Sequence, residues 1–133
     1  MIKKAKMAKE AIVRMNNQPG VLARITRQIA ENGINVEAVI ATVEGADAVI
    51  RVVTSDHQRT MNVLRELQPE LLENKVVVVE AMHRPGLLEF ITGKLARENI
   101  DLFYLYATAA DADKCLVVFS STNNDWATMV LNG

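Results

Sequence analysis

The sequence predicts an α+β protein built from two copies of one two-layer module, each with its helices on one face of a mostly antiparallel sheet. Three observations carry that expectation. The chain lies on itself when shifted by 66 positions, Pro19 onto Pro85. Each half reads strand, helix, strand, strand, helix. Each half also turns from its first strand into its first helix at a Pro-Gly pair, Pro19-Gly20 and Pro85-Gly86. The same shift puts Leu22 on Leu88, Ile25-Thr26 on Ile91-Thr92, Ala30 on Ala96 and Ile34 on Ile100. It puts Ala41-Thr42 on Ala107-Thr108 and Ala46-Asp47 on Ala112-Asp113, with no gap introduced. Duplication sets the domain count at two.

The first half opens with a short apolar strand, Ala11 to Met15, which ends at the Pro19-Gly20 turn. Val21, Leu22, Ile25 and Ile29 follow at helical spacing. Asn32-Gly33 stops that helix, because glycine suits the left-handed C-terminal position. Asn35 to Val43 reads as the second strand, Glu44-Gly45-Ala46-Asp47 as a hairpin turn and Ala48 to Thr54 as a β-branched third strand. Ser55-Asp56 is an N-cap signal for a second helix carrying Met61, Val63, Leu64 and Leu67. In the second half Val76 to Met82 is a strand and Gly86 to Glu98 a helix. Asp101 to Thr108 and Lys114 to Ser121 form a hairpin. The last helix starts near Asn123 or Asn124 and holds Trp126, Met129, Val130 and Leu131.

These elements divide the chain into a leader (1–9), a first module (10–74) and a second module (75–133). The fourth strand of each module is left open. Leu71-Leu72, within Gln68 to Asn74, offers a stub to the first. The run Lys75-Val76-Val77-Val78-Val79 could serve both sheets. The second module ends at its second helix, so its final strand is absent unless the leader or another chain supplies it.

Half the residues are hydrophobic, enough for a packed core. The 15 basic and 16 acidic residues nearly balance, which argues against nucleic acid, a partner that calls for a basic face. No apolar stretch reaches the roughly 18 residues that span a bilayer, and no apolar segment follows the basic Lys3-Lys4-Ala5-Lys6. No membrane partner and no signal peptide are therefore expected. The one cysteine, Cys115, sits in an apolar strand and has no internal partner for a disulfide, so a reducing, cytoplasmic setting is expected.

The chemistry lies at the turns. Proline fixes φ and glycine relaxes it, so the strand is turned sharply into a helix. The helix start behind the turn has unpaired N–H groups and a partial positive charge, a seat for a carboxylate. Asn17 and Asn35 each bring an amide that donates and accepts, which suits the ammonium and carboxylate of an amino acid. Turns and amides of this kind also serve as plain structural punctuation.

Residues Asn17-Gln18-Pro19-Gly20-Val21-Leu22-Ala23-Arg24-Ile25, with Glu31-Asn32-Gly33-Ile34-Asn35-Val36-Glu37, resemble the signature of the ACT domain family. His83-Arg84-Pro85-Gly86-Leu87-Leu88, with Glu98-Asn99-Ile100-Asp101-Leu102, resembles it a second time. The resemblance covers residues 10 to 133. It implies ferredoxin-like βαββαβ modules that bind a small amino acid against the loop between strand one and helix one. It implies modules that pair through edge strands, hence a homodimer or higher homo-oligomer, and a regulated metabolic enzyme as partner. In serine-sensing members the positions of Asn17 and Asn35 hold the effector. The second copy departs there, with His83 and Asp101. The first copy also resembles the regulatory subunit of acetolactate synthase, which leaves open an assembly subunit with no ligand of its own.

The candidate ligand-binding residues are therefore Asn17, Gln18, Pro19, Gly20, Val21, Leu22 and Asn35, then His83, Arg84, Pro85, Gly86, Leu87, Leu88 and Asp101. His83 offers either an exposed loop imidazole or a ligand donor whose charge changes near neutral pH. His57, at a helix start, is assigned no function. On the strand Phe103-Tyr104-Leu105-Tyr106, alternation puts Phe103 and Leu105 on one face and the tyrosines on the other, one pair for the core and one for an interface. No catalytic triad, phosphate-cradling loop or paired cysteines stand out, so neither an enzyme nor a metal or other cofactor is expected. The first copy has no aromatic residue to stack on RNA bases.

Overall fold

A computed structural model describes residues 1–67 and 69–133. Its elements in order are β1 (Ile2–Asn16), α1 (Val21–Glu31), β2 (Val36–Glu44), β3 (Asp47–Thr54) and α2 (His57–Arg65). Then follow β4 (Glu70–Ala81), α3 (Leu87–Arg97), β5 (Leu102–Asp111), β6 (Lys114–Ser121) and α4 (Asn124–Asn132). The chain divides into two compact units, Lys9–Asn74 and Met1–Ala8 with Lys75–Gly133. We call them the first and second modules.

The division answers the question of the fourth strands. β1 and β4 are each longer than the periodic runs that mark them, and each is divided between the modules. In the first module the strand order is β2-β3-β1-β4, with the Glu70–Asn74 part of β4 as the fourth strand. In the second it is β1-β4-β6-β5, with the part of β1 up to Ala8 as the fourth strand. The final strand expected to be missing is thus present, and residues 1–8 are not a separate leader. Ala5 is buried in the second core, and the N–H of Met82 donates to the carbonyl of Met1 (2.9 Å). Leu71 packs on the first core. Gln68, where the sequence reading began that stretch, lies outside the described residues.

Each module is α+β, with both helices on one face of its sheet. In the first, Val21, Ile25 and Ile29 of α1 and Met61, Val63 and Leu64 of α2 pack on Ala11, Val13, Ile50 and Val52. In the second, Leu87, Ile91 and Leu95 of α3 and Ala127 and Leu131 of α4 pack on Val77, Val79, Val117 and Phe119. The alternate strand positions that face the helices are apolar, as period-two patterning requires. Helix α4 differs from its sequence reading. Its core contacts are Ala127 and Leu131, while Trp126 and Met129 are exposed.

Local signals set the helix ends. Asp56 Oδ1 accepts from the N–H of Arg59 (3.2 Å) and Asn123 Oδ1 from that of Trp126 (3.0 Å), capping α2 and α4. After α1 the N–H of Gly33 donates to Ala30 and that of Ile34 to Ile29, and after α3 the N–H of Asn99 donates to Ala96 and that of Ile100 to Leu95. This double bond is the Schellman arrangement, which needs a left-handed residue at its centre.

The repeat is not free of gaps. Val43 pairs with Ala48, but Ala109 pairs with Cys115, and a β-bulge lies between Ala109 and Asp111. One extra residue, Ala110, therefore enters β5, and past it the correspondence runs 67 positions apart, Ala48 to Cys115. An earlier bulge between Leu102 and Tyr104 breaks the alternation of β5. Leu102 and Leu105 pack on the core, the rings of Tyr104 and Tyr106 stack with centroids 6.5 Å apart, and Phe103 is 69% exposed. Phe103 is thus not a core residue, because the bulge turns it out of the pleat.

Candidate functional site

Each Pro-Gly turn sits beside the hairpin of its own module. The N–H of Asn17 donates to the carbonyl of Ala46 (2.8 Å), and the N–H of His83 to that of Ala112 (3.0 Å). Arg14 reinforces the first contact by pairing with Glu44 (3.1 Å) and Asp47 (3.4 Å) across the hairpin. Lys3 Nζ donates to the carbonyl of Asp113 (2.6 Å) in the second hairpin.

Glycine begins each helix in the left-handed region, Gly20 at φ 91° and Gly86 at φ 89°, and no side chain caps either helix. Val21 N–H donates back to Gln18 and Arg24 N–H to Gly20; Leu87 and Phe90 repeat this with Arg84 and Gly86. Between them, the N–H groups of Leu22 and Ala23, and of Leu88 and Glu89, have no acceptor among the described residues. These are the unpaired amides of a helix start.

A cavity of about 370 Å³ opens in front of the first pair of amides. Asn17, Gln18, Gly20, Val21, Leu22 and Ala23 line one side, and Ala41, Thr42, Val43, Ala48 and Ile50 the other. A cavity of about 410 Å³ stands at the matching place in the second module. It is lined by His83, Arg84, Gly86, Leu87, Leu88 and Glu89 and by Ala107, Thr108, Ala109 and Cys115. A third cavity, of about 540 Å³, lies along the outer surface of α3 and α4 by Lys94, Arg97, Trp126 and Met129, away from both turns.

Most of the sequence-derived residues converge on these two cavities. Pro19 and Pro85 do not line them; their part is to hold the turn. Asn35 and Asp101 do not line them either. Both lie just before β2 or β5 begins, where the Asn35 N–H donates to Ser55 Oγ (3.1 Å) and the Asp101 N–H to Thr122 Oγ1 (3.1 Å). The cavity touches the far end of β2, from Ala41 onward. Six residues at the strand rise put Asn35 about 20 Å from that end. Within one module, therefore, Asn17 and Asn35 cannot hold the same small ligand.

The hairpin walls were missed by sequence reasoning. A signal existed: Ala41-Thr42 and Ala107-Thr108 are identical pairs in the repeat, and both line cavities. Cys115 is the buried strand residue the sequence expects, with burial pushing its thiol pKa up, but its side also forms cavity wall. His57 contacts neither cavity; its Nε2 lies 2.7 Å from Glu73 Oε2. Among the described residues no His, Cys, Asp and Glu cluster is placed to hold a metal ion, and no helix is long and apolar enough to cross a membrane.

Residues 10–70 match the family model of the ACT domain. No curated protein matches the sequence. Among solved structures, a protein of Bacteroides thetaiotaomicron is similar at 25% identity and TM-score 0.87, over 96% of this chain and 88% of that one. The ligand-free regulatory subunit of aspartate kinase from Thermus thermophilus shares the fold at 15% identity and TM-score 0.70, over 98% of this chain and 96% of that one. A structure of aspartokinase alpha and beta subunits does so at 21% identity and TM-score 0.67, over 99% and 97%.

Proposed function

From an ACT domain at residues 10–70, followed by a second module of the same fold, we propose a regulatory protein that senses a small amino acid at the Pro-Gly turns. One observation carries the reading. Two free helix-start amides face a cavity whose other polar groups are the neutral side chains of Asn17, Gln18 and Thr42. The α-carboxylate sits on the amides of Leu22 and Ala23, where the helix dipole favours an anion. The ammonium is met by the amide oxygens of Asn17 and Gln18, and the side chain lies along Leu22 and Val43.

The distance between Asn17 and Asn35 gives this reading a further content. For Asn35 to touch the effector it must come from another copy, so ligand binding and pairing of copies are linked, and the signal is a change of dimer geometry. The regulated partner is a separate metabolic enzyme, in keeping with the likeness in fold to a regulatory subunit of aspartate kinase along nearly its whole length. A single, buried, unbridged cysteine suits a cytoplasmic protein.

A thermal-shift screen of the free amino acids at millimolar concentration is the test. At least one raises the melting temperature, and Asn17→Ala abolishes that rise while leaving the oligomeric state unchanged. If no amino acid stabilises the protein, sensing is wrong and a ligand-free assembly subunit takes its place.

A further inference from the structure

The two cavities share a scaffold but not a charge. Gly20, Leu22, Ala41 and Thr42 are matched residue for residue by Gly86, Leu88, Ala107 and Thr108. Three positions differ in polarity or charge. Asn17 is replaced by His83, Gln18 by Arg84 and Ala23 by Glu89. Among the residues that line them, the first cavity has no charged one, whereas the second has Arg84 and Glu89, with His83 beside them. Arg84 and Glu89 make no ion pair or side-chain hydrogen bond with each other or with any described residue. Two opposite charges that share one small cavity without neutralising each other are both available to a ligand.

We propose that the second cavity binds a dicarboxylic amino acid, a different ligand class from the neutral one that suits the first. This rests on the amino-acid-sensing reading and gives its second site a substrate class. The charges match group by group. One carboxylate takes the free amides of Leu88 and Glu89 at the start of α3. The other takes the fork of Arg84, whose planar donors fit a carboxylate with two parallel bonds. The ammonium takes the Glu89 carboxylate. A neutral amino acid leaves Arg84 unanswered, and a plain dicarboxylate leaves Glu89 unanswered.

The test is calorimetric titration of the full chain with L-aspartate and L-glutamate, against their uncharged isosteres L-asparagine and L-glutamine, and against succinate and inorganic phosphate. The acidic amino acids bind, and Arg84→Gln, which restores the first module's residue, weakens them by about tenfold or more. Glu89→Ala weakens the acidic amino acids and leaves succinate unchanged. Arg84 has no partner to lose, so the variant's melting temperature without ligand reports that its fold is intact. If the isosteres bind as tightly as the acids, or Arg84→Gln changes nothing, the inference fails while amino-acid sensing stands. If phosphate or succinate matches aspartate, the site is a general anion site and the inference fails likewise. If no amino acid binds at all, the sensing reading falls and this one with it.

Discussion

The carboxamide of Asn132 closes on both peptide groups of Ala5: its Nδ2 donates to the Ala5 carbonyl and its Oδ1 accepts from the Ala5 N–H, each at 2.8 Å. Ala5 lies on the part of β1 that forms an edge of the second module's sheet. An edge strand shows a row of unpaired N–H and C=O groups to its surroundings. Asn132 answers one such pair as a neighbouring strand would, and so clamps residues 1–8 to the module that α4 covers. Asn132→Ala should cost about 1–3 kcal/mol, the sum of two partly buried hydrogen bonds. Urea denaturation checks it, and a loss below a few tenths would mean that β1 is held by its ladder alone.

Asn99 takes the left-handed conformation that Gly33 takes in the first module, φ 56° against 69°. Both sit at the centre of a Schellman turn, where an L-residue with a Cβ is strained and Asn is the best tolerated. Asn99→Ala is expected to lower stability by about 1 kcal/mol, whereas Asn99→Gly leaves it nearly unchanged. Paired melting curves of the two variants decide it. Equal melting temperatures for both would contradict the strain argument.

Gly20 and Gly86 also have positive φ, and the space where a Cβ would stand is open at both. Substitution there is opposed by backbone conformation and not by collision. Gly20→Ala or Gly86→Ala should each cost about 1–2 kcal/mol and weaken binding at its own cavity, because the turn aims the free amides. Chemical denaturation measures the first effect, and ligand titration of each variant the second.

The hydrogen bond from His57 holds the Glu73 carboxyl below its ordinary value of 4.5, against a smaller opposing push from burial. A carboxyl lowered in the folded state stabilises the fold above its unfolded value and loses that contribution as pH falls through its folded value. The first module therefore weakens on acidification below about pH 4.5. Glu73→Gln is expected to flatten that acid limb and to lower the stability above it by the contribution that the carboxylate made. Stability measured from pH 3 to 7 on both proteins tests the sign. A variant whose acid limb is as steep as the parent's would show that the pair does not matter.

Much of this molecule is legible from residue order. The Pro-Gly turns, the caps at Asp56 and Asn123 and the helical spacing of Val21, Ile25 and Ile29 are local features, and each appears where the sequence places it. The misreadings are equally particular. Ala110 shifts a register that the 66-position repeat treats as continuous, and the bulge before Tyr104, like its counterpart between Val36 and Ala38, breaks the alternation of its strand. A bulge leaves no mark in composition, since it depends on which residues oppose each other across two strands. The exposure of Trp126 and Met129 was likewise hidden, because an apolar residue on a helix does not announce which neighbour will cover it.

By itself, then, the sequence determined the duplication, the order of elements and the two turns with their divergent neighbours, because these rest on periodicity and backbone chemistry within a few residues. Only the tertiary structure decided where the fourth strands come from, the start of β1 up to Ala8 for one module and Glu70–Asn74 for the other. It alone separated Asn17 from Asn35 and joined Thr42 and Thr108 to the turns. Such pairings are set by which distant strands exchange hydrogen bonds and share a core, a choice that no local window of the chain contains.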